Sequence, residues 1–169
     1  MFHIILHEPE IPPNTGNVIR LCANTGCTLH LVQPLGFELG DRAVRRAGLD
    51  YHDMARVHVH RDLAACLASL APARLWLVET GDGQRYSDAR FAAGDALLFG
   101  AETRGLPAAA LSLAADATAA GMAAAPGDDA PRTVRLAIPM LPGNRSLNLA
   151  NAVALVVYEA WRQLDFAGA

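Results

Sequence analysis

Short apolar runs and stretches with helical spacing alternate along this chain. "MFHIILH", Met1–His7, reads as a buried strand. "EPEIPPN" follows, and its prolines and glutamates form a turn that closes the strand. Asn14 or Thr15 is then expected to cap a helix with Val18, Ile19, Leu21 and Cys22 on its apolar face, ended by Gly26. "TLHLVQP", Thr28–Pro34, is a second strand, and "DRAVRRAG", Asp41–Gly48, a short basic helix. "RVHVH", Arg56–His60, alternates like a half-exposed strand. A helix over Asp62–Leu70 and strands over Arg74–Thr80 and Asp95–Gly100 come next. Pro107 starts a short helix running to about Leu113. "VRLAIPM", Val134–Met140, is the last strand, before a long final helix.

Strands that alternate with helices predict a parallel, Rossmann-like α/β sheet covered on both faces. Two stretches depart from the pattern. Ala114–Thr133 is nearly half alanine with Gly, Pro and Asp, and reads as an extended, mobile loop, with a frayed helix as the alternative. The final helix has an apolar body, Leu147 to Val157, but a polar front: Asn144, Arg145, Ser146, Asn148 and Asn151. Asparagine is a poor helix-interior residue and a good cap, because its amide competes for backbone groups. One such residue is a cap; five point to a surface that hydrogen-bonds something.

The 169 residues suit one domain with a proper core, and the 52% hydrophobic content marks a folded chain. A net charge of −3 argues against gripping nucleic acid with the whole surface, though not against a local basic patch. Cys22, Cys27 and Cys66 form no CxxC, so neither disulfides nor a zinc site is expected, and a reducing cytoplasm fits. "MFHIILHEPE" lacks a basic leader and meets acid early, which is unlike a signal peptide, and no apolar run is long enough to span a membrane.

In parallel sheets ligands sit beyond the carboxyl ends of the strands. The polar, glycine-bearing loops there are "NTGN" (Asn14–Asn17), "GAETRGLP" (Gly100–Pro107) and "PGNRSLN" (Pro142–Asn148), which are expected to meet at one edge. "TGDGQRY" supplies only Gly81 and Gly83 of a dinucleotide fingerprint, and neither a P-loop nor a nucleophile elbow is present. His58 and His60 share one side of a strand, but without an obvious third ligand they read as a solvated face rather than a metal site.

"EIPPNTGNVIRLCANTG", "LFGAETRGLP" and "IPMLPGNRSLNLANAVALVVYEA" together resemble the three motifs of the SpoU branch of the SPOUT RNA methyltransferases, most closely its small TrmL-type (YibK-like) members. The resemblance extends through "RRAGLDYH" and "YEAWRQL" to nearly the whole chain. It implies a C-terminal deep trefoil knot whose loops hold S-adenosylmethionine. It also implies a homodimer whose site draws on both subunits, and methyl transfer to a ribose 2′-hydroxyl. For the TrmL type the implied substrate is the wobble nucleotide, position 34, of leucine tRNAs, a cytidine or modified uridine.

By motif position, Val78, Gly100, Ile138 and Ser146 match the family's cofactor contacts, with Met140 and Leu147 as further apolar walls. The catalytic arginine falls on Arg20, and Asn14, Glu102, Ser146 and Asn148 match the other polar positions. Arginine as a residue type holds its proton, so gripping the RNA phosphate and orienting the hydroxyl is favoured over a general-base role. Read singly, Asn14, Ser146 and Asn148 are also helix caps, Arg20 a surface charge, and Glu102 a partner for Arg104 or a brace for Arg20. All 14 basic residues are arginines. Arg42, Arg45 and Arg46, at spacings of three and four, and Arg145 are the candidates for RNA phosphates, against a solvated helix face as the alternative.

Asn144 and Ala150 stand where the family usually has serine, and Ala114–Thr133 is longer than the usual connection. Two other readings stay open. One is a sister enzyme acting on another tRNA position or another RNA. The other is a knotted dimer that binds RNA or nucleotide without catalysis.

Overall fold

Apolar runs of the sequence become the strands of one parallel sheet in the computed structural model, which describes residues 1–39, 54, 56–120 and 132–169. In chain order the elements are β1 (His3–His7), α1 (Pro12–Thr25), β2 (Thr28–Val32), β3 (Val57–His60), α2 (Leu63–Leu70), β4 (Leu75–Glu79), β5 (Gln84–Arg85), β6 (Ala96–Phe99), α3 (Ala108–Ala120), β7 (Thr133–Ala137) and α4 (Leu149–Gln163). The strand order is β3-β2-β1-β6-β4-β7-β5. Ile4 faces Leu29 on one side and Leu97 on the other, so β1 is fully flanked.

Alternation along each strand sorts side chains into two cores. Ile4, Leu6, Leu29, Leu97 and Phe99 point to the face covered by α1 and α4, with Val18, Ile19, Val153 and Val157. Ile5, Leu75, Leu77 and Leu98 point to the face covered by α2 and α3, with Leu63, Leu67 and Ala110. Inner strands buried on both faces have no solvated side, which is why "IIL", "LWLV" and "ALLF" are continuous apolar runs. The three cysteines are free and buried, and burial pushes the Cys66 thiol up to about 12. Among the described residues no helix is long and apolar enough to cross a membrane.

Several boundaries differ from the sequence expectation. Neither Asn14 nor Thr15 caps α1; the N-cap is Ile11, without a side-chain cap, and Pro12 and Pro13 open the helix. Prolines there carry no N–H to satisfy, so little is left for a cap to do. "NTGN" is therefore helix, not loop, and Asn14 and Thr15 are buried in it. Gly26 ends the helix in the left-handed region at φ 72°, as its type suggests. The helix after Pro107 does not stop at Leu113 but runs to Ala120. Alanine is the best helix former, and Ala114 is fully buried against the sheet, so this part of the expected loop is ordered helix. The rest of that segment, 121–131, and the basic stretch 41–48 lie outside the described residues. The last strand stops at Ala137 instead of Met140, because Pro139 cannot donate to a ladder and restrains Ile138. β5, an exposed pair beside β7, gave no periodic signal at all.

Candidate active site

β4, β6 and β7 end side by side, and beyond their carboxyl ends opens a cleft of about 700 Å³. That volume is ordinary for a cofactor-sized ligand. Val78 and Glu79 form one wall, Gly100 to Gly105 the second, and Ile138, Met140 and Arg145 to Leu147 the third. The floor is Phe99, Leu149 and Ala152, the last two from the first turn of α4.

Each wall has a local cause. Beyond Ala137 the chain leaves the sheet and turns at Gly143, φ 87°, with the Asn144 N–H donating to the Leu141 carbonyl at 3.3 Å. This frees the polar front of the final motif from helix, so that residues 141–148 stand exposed and Arg145 to Leu147 reach the cleft. The second wall is a tight loop in which the Gly105 N–H donates to the Ala101 carbonyl at 2.8 Å. A Cβ on Gly100 would overlap the Gly105–Leu106 backbone. The close approach that demands glycine here is by the protein's own chain.

A polar network ties these walls to α1. Asn148 caps α4, its Oδ1 accepting from the N–H groups of Ala150 at 2.9 Å and Asn151 at 3.3 Å. Its Nδ2 donates to Asn14 Oδ1 at 2.8 Å, and Asn14 Nδ2 donates to Glu102 Oε1 at 2.9 Å. Glu102 also accepts from the Glu10 N–H at 2.8 Å and the Ile11 N–H at 3.2 Å. One carboxylate thus receives three donors and locks the β1–α1 turn, the 100–105 loop and the α4 entry into one frame. Arg104 turns away from Glu102, to Glu8 at 2.9 Å and Glu10 at 3.4 Å.

The six residues expected at a cofactor, Val78, Gly100, Ile138, Met140, Ser146 and Leu147, all line the cleft, and so do Glu102 and Arg145. Asn14 and Asn148 stand behind it in the network. Arg20 is exposed on α1 and does not line the cleft. Arg42, Arg45 and Arg46 lie outside the described residues. Sequence reading overlooked Thr80 and Thr103 at the rim; the hydroxyl of Thr103 donates to Glu10 at 2.7 Å, a contact only folding reveals. Of the two departures, Asn144 sits in the exposed turn, while Ala150 is buried under the Asn148 cap.

Residues 1–125 match the model of the SpoU rRNA Methylase family. The chain belongs to that family. As a SpoU methylase it is 53% identical, over 99% of both chains, to the tRNA (cytidine(34)-2′-O)-methyltransferase of Burkholderia ambifaria. A solved structure described as giving insight into 2-OH methylation of C/U34 on tRNA is 42% identical. It covers 98% of this chain and 97% of its own, with a TM-score of 0.81. The SpoU methyltransferase AviRb from Streptomyces viridochromogenes, solved with the cofactor AdoMet (S-adenosylmethionine), shares the fold. It has a TM-score of 0.75 at 22% identity and covers 96% of this chain and 57% of its own. Two walls of the SpoU cleft come from the second and third motifs and the wall at Val78 and Glu79 from β4, outside them, while the first motif anchors the frame.

Proposed function

We propose that this SpoU methylase transfers a methyl group from S-adenosylmethionine to the ribose 2′-hydroxyl of the wobble nucleotide of tRNA, a cytidine or modified uridine at position 34, in leucine isoacceptors. The observation that carries the reaction and the position is an identity of about half, over nearly the whole chain, to enzymes named tRNA (cytidine(34)-2′-O)-methyltransferase, and the leucine isoacceptors follow from the resemblance to the TrmL type. The cleft fits such a cofactor. Apolar Val78, Ile138, Met140 and Leu147 would hold the adenine faces, and the backbone around Gly100 and the Ser146 hydroxyl would meet its polar edges. When bound, S-adenosylmethionine supplies an electrophilic methyl group on a sulfonium.

The chain's own residues must hold the nucleophile. A 2′-hydroxyl is weak and needs orientation and a proton acceptor. Arg20 orients it through the neighbouring phosphate. Glu102, already receiving three hydrogen bonds, acts by positioning Asn14 and the loop rather than by taking the proton. Arg145 at the cleft, with Arg42, Arg45 and Arg46, would grip RNA phosphates.

The enzyme works in the cytoplasm, as one domain and as a homodimer. Leu155, Tyr158 and Phe166, large apolar side chains exposed on and just after α4, support a dimer face. The path from β7 back across the sheet to α4, which packs on α1, supports the trefoil knot. The experiment is transfer of labelled methyl to tRNA from cells lacking the protein, with the product nucleoside mapped. Label on the wobble ribose of leucine tRNA is expected. Label elsewhere would keep the enzyme class and discard the substrate. No transfer with the cofactor bound would favour a non-catalytic dimer. Arg20→Ala should abolish transfer while leaving S-adenosylmethionine affinity unchanged.

A further inference from the structure

On the sheet face away from α1 and α4, four histidines and a cysteine gather at the β3 edge. His30 lies on β2, His58 and His60 on the edge strand β3, His3 on β1, and Cys66 on α2. His30 Nδ1 and His60 Nε2 are 3.0 Å apart, and these two rings and the Cys66 sulfur offer three ligand atoms that all lie within 4.8 Å of one another. From these positions we infer that His30, His60 and Cys66 form a binding site for a zinc-class divalent cation, outside the methyl-transfer cleft.

The donor set is that of a borderline-soft metal: two imidazoles and one thiolate, with a fourth position for water. Tetrahedral zinc, with bonds of about 2.0–2.1 Å to nitrogen and 2.3 Å to sulfur, puts ligand nitrogens about 3.3 Å apart and sulfur about 3.6 Å from them. The nitrogen pair is nearly there already. From a separation of at most 4.8 Å, drawing the sulfur in takes a contraction of no more than about 1.2 Å.

A second interaction orients the first ligand. His30 Nε2 lies 3.2 Å from His3 Nδ1. With Nδ1 on the metal, Nε2 carries the proton and donates it to His3, the arrangement that fixes ring orientation at metal sites. His30 and Cys66 are buried, while His60 is half-buried on the edge strand and gives the ion a way in. His58 stacks on His30 at 5.3 Å with the planes 18° apart, so its nitrogens run alongside rather than converge. On binding, the Cys66 thiol proton leaves to solvent as the metal–sulfur bond forms, and nothing is oxidised or reduced. The ion would staple the edge strand to β2 and α2.

The test is titration of the reduced, full-length protein with Co²⁺, a spectroscopic stand-in for Zn²⁺. One equivalent per chain should produce thiolate-to-cobalt charge-transfer absorption with the intense visible bands of tetrahedral cobalt, and Zn²⁺ should displace both. Cys66→Ala and His60→Gln should lose these bands, and His58→Gln should keep them. Zn²⁺ should raise the melting temperature of the wild type but not of His60→Gln. Should Cys66→Ala fail to fold, His60→Gln, checked by circular dichroism, decides alone. Absence of the charge-transfer band in the wild type, its survival in His60→Gln, or its loss in His58→Gln would overturn the site.

Discussion

Asp95 shows how one residue can carry a cost that the fold tolerates. It is 1% exposed, where the Trp76 indole N–H donates to its Oδ2 at 2.8 Å and the Ala92 N–H to the same oxygen at 2.9 Å. Arg74, 3.9 Å from Oδ1, is the charged group that faces it. Burial raises its carboxyl above the ordinary value of 3.8, outweighing the two hydrogen bonds and the arginine, which pull it down. A carboxyl that is harder to ionise in the folded state binds protons more readily there than in the unfolded chain. Its ionisation therefore erodes stability as pH rises from 3.8 through the raised folded value, and no further above it. Asp95→Asn should remove that decline. In urea unfolding from pH 3 upward, the variant should gain on the wild type across this window and hold a constant difference beyond it. A constant difference at all pH values would show that the carboxylate is not desolvated in the way its burial indicates.

Among the elements, α4 carries two tasks at its first residue. Asn148 caps the helix and also reaches Asn14, so the cap and the polar network behind the cleft hang on one amide. Asn148→Ala should lose both, with a stability cost of about 1 kcal/mol for the cap and a large drop in methyl transfer. Asn148→Ser keeps a capping oxygen but has no amide to reach Asn14. It should recover most of the stability, read by chemical denaturation, and little of the transfer rate. If the serine variant restores both, the link to Asn14 has no part in activity. The same helix shows what a sequence reveals. Its polar front was legible as more than a cap, because one asparagine suffices to cap a helix and five hydrogen-bonding residues stand there; the structure puts Arg145 and Ser146 of that front at the cleft and makes Asn148 the cap. The strands were legible because burial on both faces leaves continuous apolar runs. The chain did not reveal that Asn14 is a buried network member rather than a cap, since Pro12 and Pro13 start the helix earlier than the asparagine suggests. Nor could it reveal the His30–His60–Cys66 cluster. Those residues are 30 and 6 positions apart along the chain and meet only through the register that sets β2 beside β3 and α2 over them.

At the scale of the whole molecule the position of Arg20 is decisive. It belongs to the motif expected to hold the nucleophile, yet it is exposed on α1 and does not line its own chain's cleft. Asn14, six residues or about 1.7 turns earlier on α1, faces inward to Glu102. A symmetric dimer offers a way to complete such a site, because each cleft can receive the arginine of the other chain. The exposed Leu155 and Tyr158 give α4, the helix that packs on α1, an apolar face that a second chain can cover. This yields a complementation test. Arg20→Ala has an intact cleft and no arginine; Gly100→Val has the arginine and a blocked cleft, since any side chain there meets the Gly105 backbone. Each alone should be inactive. Unfolded together and refolded, the mixture should regain roughly a quarter of wild-type transfer, because half the dimers are mixed and each mixed dimer holds one complete site. Chains that supply Arg20 to their own cleft would regain nothing, even with the mixed dimer verified by differential tagging. Leu155→Glu combined with Tyr158→Glu separates association from chemistry. Sedimentation should then show monomers, and transfer should vanish although every cleft residue is unchanged.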